Sequence, residues 1–194
     1  MISKRPILIV ASPRSGSSPY CYYLGKKYGL SIWAEPTHQK NFPNAFLEFE
    51  KYVQGNNDYV LKIISYQIEN NPLYQQLLDS DCYKIKLTRE NKVDQIVSEY
   101  IGKMTGIYNS TDKFARGIEY TVPIDINHIN DSILYIKKTD NILNSLNVKF
   151  DEELTYEELL KTIDLNLSNI LKIIPPTNYL ELKEIIEHEY NKSR

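Results

Sequence analysis

The chain has 194 residues, 42% of them hydrophobic and 25% charged, enough apolar material to bury a core in one domain spanning 1–194 and too much for a disordered chain. A net charge of −2 gives no general attraction for nucleic acid or an anionic membrane, so any anion site has to be local. No apolar run approaches the roughly 20 residues of a membrane span, and a soluble cytoplasmic protein without membrane insertion is the expectation. Cys21 and Cys82 lie far apart without metal-ligand spacing and read as two buried thiols rather than a disulfide.

In chain order, Ile7 to Val10 is a short continuous apolar run, the pattern of a central strand buried on both faces of a parallel sheet. Ser17 or Ser18 is placed to cap a following helix, which tolerates Pro19 in its first turn and closes at Gly29. Leu30 to Ala34 predicts a second strand, stopped at Glu35-Pro36. Pro43 to Tyr52 predicts a helix, Gly55 to Asp58 a turn, Tyr59 to Ile64 a strand and Pro72 to Leu78 a short helix.

Tyr83 to Thr88 alternates Tyr83, Ile85 and Leu87 with Lys84 and Lys86, a strand with one polar face. From Val93 the residues Ile96, Val97, Tyr100, Ile101 and Met104 form a helical stripe that ends at Gly106. Residues 107–123 read as irregular. A long helix follows from about Asp125 to Leu146, and Thr155 with Glu158 makes a capping box for a helix through Leu160. Leu165 to Ile174 and Tyr179 to Tyr190 are further helices, separated by Pro175-Pro176. The fold class is α/β: a P-loop-like three-layer sandwich with a central, mainly parallel sheet flanked by helices.

Between the first strand and the first helix lies Ser12-Pro13-Arg14-Ser15-Gly16-Ser17-Ser18. A strand that stops and a helix that starts within a few small residues aims several backbone N–H groups into one concavity, at the positive end of the helix dipole. Phosphate or sulfate suits that cradle, and Arg14 adds a planar fork of donors. An ATP or GTP loop would carry Lys after Gly16, where this chain has Ser17. Arg89 ends the strand Tyr83 to Thr88; taken alone it reads equally as the partner of a carboxylate such as Glu90.

The loop resembles the 5′-phosphosulfate loop of sulfotransferases that use 3′-phosphoadenosine 5′-phosphosulfate (PAPS). The segment Leu87-Thr88-Arg89-Glu90-Asn91-Lys92-Val93-Asp94-Gln95-Ile96-Val97-Ser98 is similar to the 3′-phosphate segment of the bacterial carbohydrate sulfotransferases of the trehalose 2-sulfotransferase type, in which an Arg at the strand end and a Ser on the next helix form the site. Leu154-Thr155-Tyr156-Glu157-Glu158-Leu159 resembles that family's Tyr-Glu-Asp-Leu segment, with Glu158 where the family has Asp, and this chain is shorter than typical relatives. The resemblance covers about residues 5 to 170. It implies that Pro13, Arg14, Ser15, Gly16, Ser17, Ser18, Arg89 and Ser98 bind PAPS, with 3′,5′-diphosphoadenosine as product, no metal and a homodimer.

A base is also needed for the acceptor hydroxyl. Glu35 ends the second strand, at the sheet edge where ligands bind in open parallel sheets, and Trp33-Ala34-Glu35-Pro36-Thr37-His38 resembles the family's Glu-Pro segment, which implies that Glu35 is the general base. Arg14 is the second catalytic candidate and His38 the reserve base. Lys62 resembles a family lysine but reads equally well as a strand lysine with an exposed tip, and Tyr156 and Glu157 read as structural. The leading function is sulfuryl transfer from PAPS to a hydroxyl of a carbohydrate or glycolipid. The alternatives are a P-loop-type small-molecule kinase, which lacks its loop lysine here, and a non-catalytic nucleotide-binding relative. Residues 42–57 and 107–123 are expected to border the acceptor pocket.

Overall fold

The computed structural model describes residues 5–37, 44–55, 58–69, 71–108, 119–162 and 175–194. The first apolar run forms β1, Ile7–Ala11, with every residue buried. It pairs in parallel with β3 (Tyr59–Ile64) on one side and β4 (Tyr83–Thr88) on the other. Beyond β3 lies β2 (Ser31–Ala34) and beyond β4 lies β5 (Glu152–Thr155), both again parallel to their neighbours. The order β2-β3-β1-β4-β5 is a five-stranded α/β sheet, parallel throughout.

Alternation along β1 sends its side chains to two cores. Leu8 and Val10 pack against Phe49 of α2 (Asn44–Gln54), Tyr74 of α3 (Pro72–Asp79) and Leu143 of α5 (Ile126–Ser145). Ile7, Ile9 and Ala11 meet Tyr20, Cys21 and Leu24 of α1 (Ser17–Tyr28) and Leu159 of α6 (Tyr156–Thr162). This two-sided burial is why β1 is apolar at every position. A third cluster joins α4 (Lys92–Thr105), α5 and α7 (Tyr179–Lys192) through Ile96, Tyr100, Ile133 and Leu182.

The local signals act as read, with two differences. Gly29 and Gly106 end α1 and α4 in the left-handed conformation, and the Asp125 carboxylate accepts the N–H groups of Asn127 and His128 at the start of α5. Thr155 and Glu158 exchange the two bonds of a capping box, Thr155 N to Glu158 Oε2 at 2.8 Å and Glu158 N to Thr155 Oγ1 at 3.2 Å. The N-cap of α1, however, is Gly16 at φ 77° rather than Ser17 or Ser18, and no side chain caps the helix; the chain enters the helix through a left-handed turn that a serine adopts only with strain. The helix expected over Pro43 to Tyr52 is α2, Asn44–Gln54, amphipathic with Phe49 in the core. Strand β5 was not expected, because Glu152 and Glu153 give it no apolar alternation; it forms by pairing Ile85 to Thr88 with Glu152 to Thr155.

The expected helix Leu165 to Ile174 lies outside the described residues, as does His38. Among the described residues no helix is long and apolar enough to cross a membrane. Cys21 and Cys82 are unpaired and buried, and burial pushes the Cys21 thiol up to about 12, where it is inert at neutral pH.

Candidate anion-binding and catalytic site

The connection leaving β1 leads to β2 on one side of the sheet, and that leaving β4 leads to β5 on the other. The two loops therefore diverge at the carboxyl ends of adjacent strands, where open α/β sheets bind ligands. The loop after β1 is one wall of that crevice. Its base is held by side chains on two helices: Gln95 Nε2 donates to Ser12 Oγ at 2.7 Å and to the Pro13 carbonyl at 2.6 Å, and Ser12 Oγ donates to Asp140 Oδ1 at 2.5 Å. Lys92 completes the cluster, 2.6 Å from Asp140 Oδ2 and 3.1 Å from Gln95 Oε1. Ser15 Oγ closes the turn on the Ser12 carbonyl at 2.7 Å.

Two non-glycine residues among those described have positive φ, Arg14 at 60° and Glu35 at 54°. Such a conformation costs on the order of 1–2 kcal/mol for a residue with a side chain, and strain of this kind collects at functional sites. Arg14 and, two residues on, Gly16 at 77° supply the left-handed residues from which anion nests of successive N–H groups are built. Ser17 and Ser18 open α1 without a side-chain cap, and as first-turn residues their N–H groups have no intrahelical acceptor; Pro19 has none to leave orphaned.

The guanidinium of Arg14 is anchored rather than free. Nε donates to Ser98 Oγ at 3.0 Å and Nη1 to the Tyr108 carbonyl at 2.8 Å, with the Tyr108 ring 5.5 Å away. Burial pulls the group down from its ordinary value, and the charge that most opposes this is Glu99, whose carboxyl burial in turn pushes up. Arg89 approaches from β4 and donates through Nη1 to the Arg14 carbonyl at 3.2 Å. Its guanidinium lies 4.5 Å over the Tyr156 ring. Arg89 Nε is buried and has no hydrogen-bond partner among the described residues, an orphan donor of the kind an anionic oxygen satisfies. Segments 84 and 75 residues apart thus meet, Arg14 with Ser98 and Arg14 with Arg89.

Glu35 is on the other side of the loop. Its N–H continues the ladder to the Lys62 carbonyl at 3.3 Å, and its Oε2 lies 2.7 Å from Lys62 Nζ. Lys62 is 3% exposed and also donates to Ser18 Oγ at 2.8 Å. A lysine supplied by β3 therefore links the expected base to the loop after β1. Sequence reasoning set Lys62 aside; the signal was a single lysine in the otherwise apolar run Val60 to Ile64, all of it buried. Tyr66, in the turn Ser65–Gln67 that follows β3, is 37% exposed and meets Tyr135 at 5.9 Å between ring centres. Burial, followed by the Glu35 charge, raises the Tyr66 phenol.

No protein-family model matches the chain, and no match is found among curated proteins. The site has therefore to be read from its own chemistry. It offers a loop with two left-handed residues, two guanidinium groups from the turns after β1 and β4, and a buried Lys62 paired with the Glu35 carboxylate, with Glu99 and Asp140 as further carboxylates around the loop. Among the described residues no group of three or more His, Cys, Asp or Glu side chains is arranged to hold a metal ion.

Proposed function

We propose that this protein is a sulfotransferase that moves the sulfuryl group of PAPS to a hydroxyl of a carbohydrate or glycolipid acceptor and releases 3′,5′-diphosphoadenosine. The observation that carries this reading is the meeting of Arg14, Ser98 and Arg89 at one crevice, with the Arg89 Nε left as a buried donor. A donor with phosphate at both 5′ and 3′ needs two anion sites. The loop with Arg14 serves the 5′ side, and Arg89 with Ser98, whose hydroxyl keeps its own proton to donate, serves the 3′ side.

In the transfer, the acceptor oxygen bonds to sulfur while the bond from sulfur to the 5′-phosphate oxygen breaks. The hydroxyl proton passes to Glu35. Negative charge grows on the departing phosphate, where the nest, Arg14 and Lys62 concentrate positive charge in a half-buried setting. Exposed Tyr66 and Tyr108 rings suit stacking against a sugar, which supports a polyhydroxyl acceptor. Two unpaired buried cysteines fit a reducing, cytoplasmic setting.

The test has two parts. Titration with 3′,5′-diphosphoadenosine in the absence of Mg²⁺ is expected to show binding that weakens at least tenfold in Arg89→Ala, as loss of a charge-assisted phosphate contact requires. Incubation with labelled PAPS and a panel of glycans and cell extracts, followed by mass spectrometry, is expected to show an acceptor that gains a sulfuryl group and is lost in Glu35→Ala. Tight ATP binding that depends on Mg²⁺ sinks the proposal, and donor binding without any transfer leaves a binding protein rather than an enzyme.

A further inference from the structure

The segment Thr155 to Glu158 does more than start α6. Immediately after the capping threonine, Tyr156 lies with its ring 4.5 Å under the Arg89 guanidinium. The same ring presses on the phosphate loop: a Cβ added to Gly16 would stand 2.7 Å from Tyr156 Cδ2 and 3.0 Å from Cε2. The next residue, Glu157, reaches across to the turn that follows Arg89, accepting the Glu90 N–H at 3.0 Å and the Asn91 N–H at 3.1 Å. One side chain thus touches both halves of the anion site, and its neighbour grips the backbone that carries the second half. The capping box needs only Thr155 and Glu158, so neither contact is explained by helix formation.

We propose that Tyr156 is the positioning residue that sets the site's preference for a nucleotide with a second phosphate, by holding Arg89 on its ring at a fixed distance from the Gly16 turn. The inference rests on the sulfotransferase reading of the same site. A guanidinium tethered through one Nη1 bond would otherwise swing on a long side chain, and a ring face 4.5 Å away restricts it, with the buried Nε lacking a partner among the described residues. Glu157 restrains the backbone in the same sense. Burial opposes ionisation of its carboxyl, but the two N–H donors and the Arg89 charge outweigh that and hold it below the usual carboxylate range.

The experiment compares affinity for 3′,5′-diphosphoadenosine with affinity for 5′-AMP in wild type, Tyr156→Phe, Tyr156→Leu, Arg89→Ala and the double variant Tyr156→Leu/Arg89→Ala. Tyr156→Leu keeps apolar bulk against Gly16 and removes the ring face, so it is the variant of choice over alanine. It is expected to lose roughly tenfold for the diphosphate and little for 5′-AMP, while Tyr156→Phe retains the wild-type preference. In the Arg89→Ala background Tyr156→Leu is expected to add nothing, because the two act as one unit. Equal loss for both nucleotides, or an undiminished effect in the Arg89→Ala background, overturns the inference alone. A wild-type protein with no preference for the diphosphate overturns the sulfotransferase reading and this inference with it.

Discussion

Lys62 joins the two sides of the site. An ammonium 3% exposed is costly by several kcal/mol unless paired, and the Glu35 carboxylate at 2.7 Å with the Ser18 hydroxyl at 2.8 Å supplies the pairing. Lys62 lies between Glu35 and the loop after β1, and under the proposed function it faces the charge that would leave with the 5′-phosphate. Lys62→Met is expected to lower sulfuryl transfer about a hundredfold or more while nucleotide affinity changes much less, read by steady-state transfer and by titration. Wild-type turnover in that variant would show that the ammonium serves only to neutralise Glu35. Gly16 is constrained twice, by φ of 77° and by the Tyr156 ring at 2.7 Å from the position of a Cβ. Gly16→Ala is therefore expected to weaken 3′,5′-diphosphoadenosine binding at least tenfold, since backbone strain and a displaced ring act together; titration checks it, and affinity within twofold of wild type would remove Gly16 from the account.

The elements are arranged so that the site is held from outside the loop. Helix α4 contributes Gln95, buried completely, whose amide donates to both Ser12 Oγ and the Pro13 carbonyl. Helix α5 contributes Asp140, which takes the Ser12 hydroxyl and pairs with Lys92. Gln95→Leu leaves the Pro13 carbonyl without that donor in a closed space, and each such unsatisfied group costs about 1–3 kcal/mol. A loss of that size in urea unfolding, with nucleotide affinity falling in parallel, is the expected result. Lost affinity without lost stability would mean that Gln95 acts on the loop geometry alone. Strand β5 has an analogous role at the sheet edge: its pairing with β4 brings Tyr156 and Glu157 to the turn that carries Arg89.

At the scale of the whole molecule, a chain of net charge −2 concentrates Arg14, Arg89 and Lys62 at the carboxyl ends of its strands, and the proposed function assigns that local charge to an anionic donor. Two carboxylates in this region give opposite responses to acid. Glu157 has a folded-state value below its unfolded one, so its contribution to stability is complete above the ordinary glutamate range and is lost as pH falls through the depressed folded value. Glu99 is raised by burial, so it favours the folded state as pH falls and takes up its proton first. Unfolding midpoints measured from pH 7 into the acid range are expected to show wild type losing stability below the ordinary glutamate range, with a shallower loss in Glu157→Gln. Identical profiles would dismiss the Glu157 tether as a contributor to stability.

Much of this arrangement was legible in the chain because its signals are local. Uniform apolarity at Ile7 to Val10 marks a strand covered on both faces, a period of 3.6 marks α4 from Val93 to Met104, and glycines at 29 and 106 supply the left-handed residues that stop helices. The loop from Ser12 to Ser18 and the Arg89 to Ser98 spacing were equally visible, since each depends on residues close together in sequence. What only the tertiary structure decided depends on register and approach between distant segments. Whether Lys62 points to solvent or to the site follows from pairing Ala34 with Lys62; whether Glu152 to Thr155 is a strand follows from β4 offering it an edge. Tyr156 is explained locally by a helix start, and its contacts with Gly16 and Arg89 arise because a parallel sheet gathers the carboxyl ends of its strands at one edge.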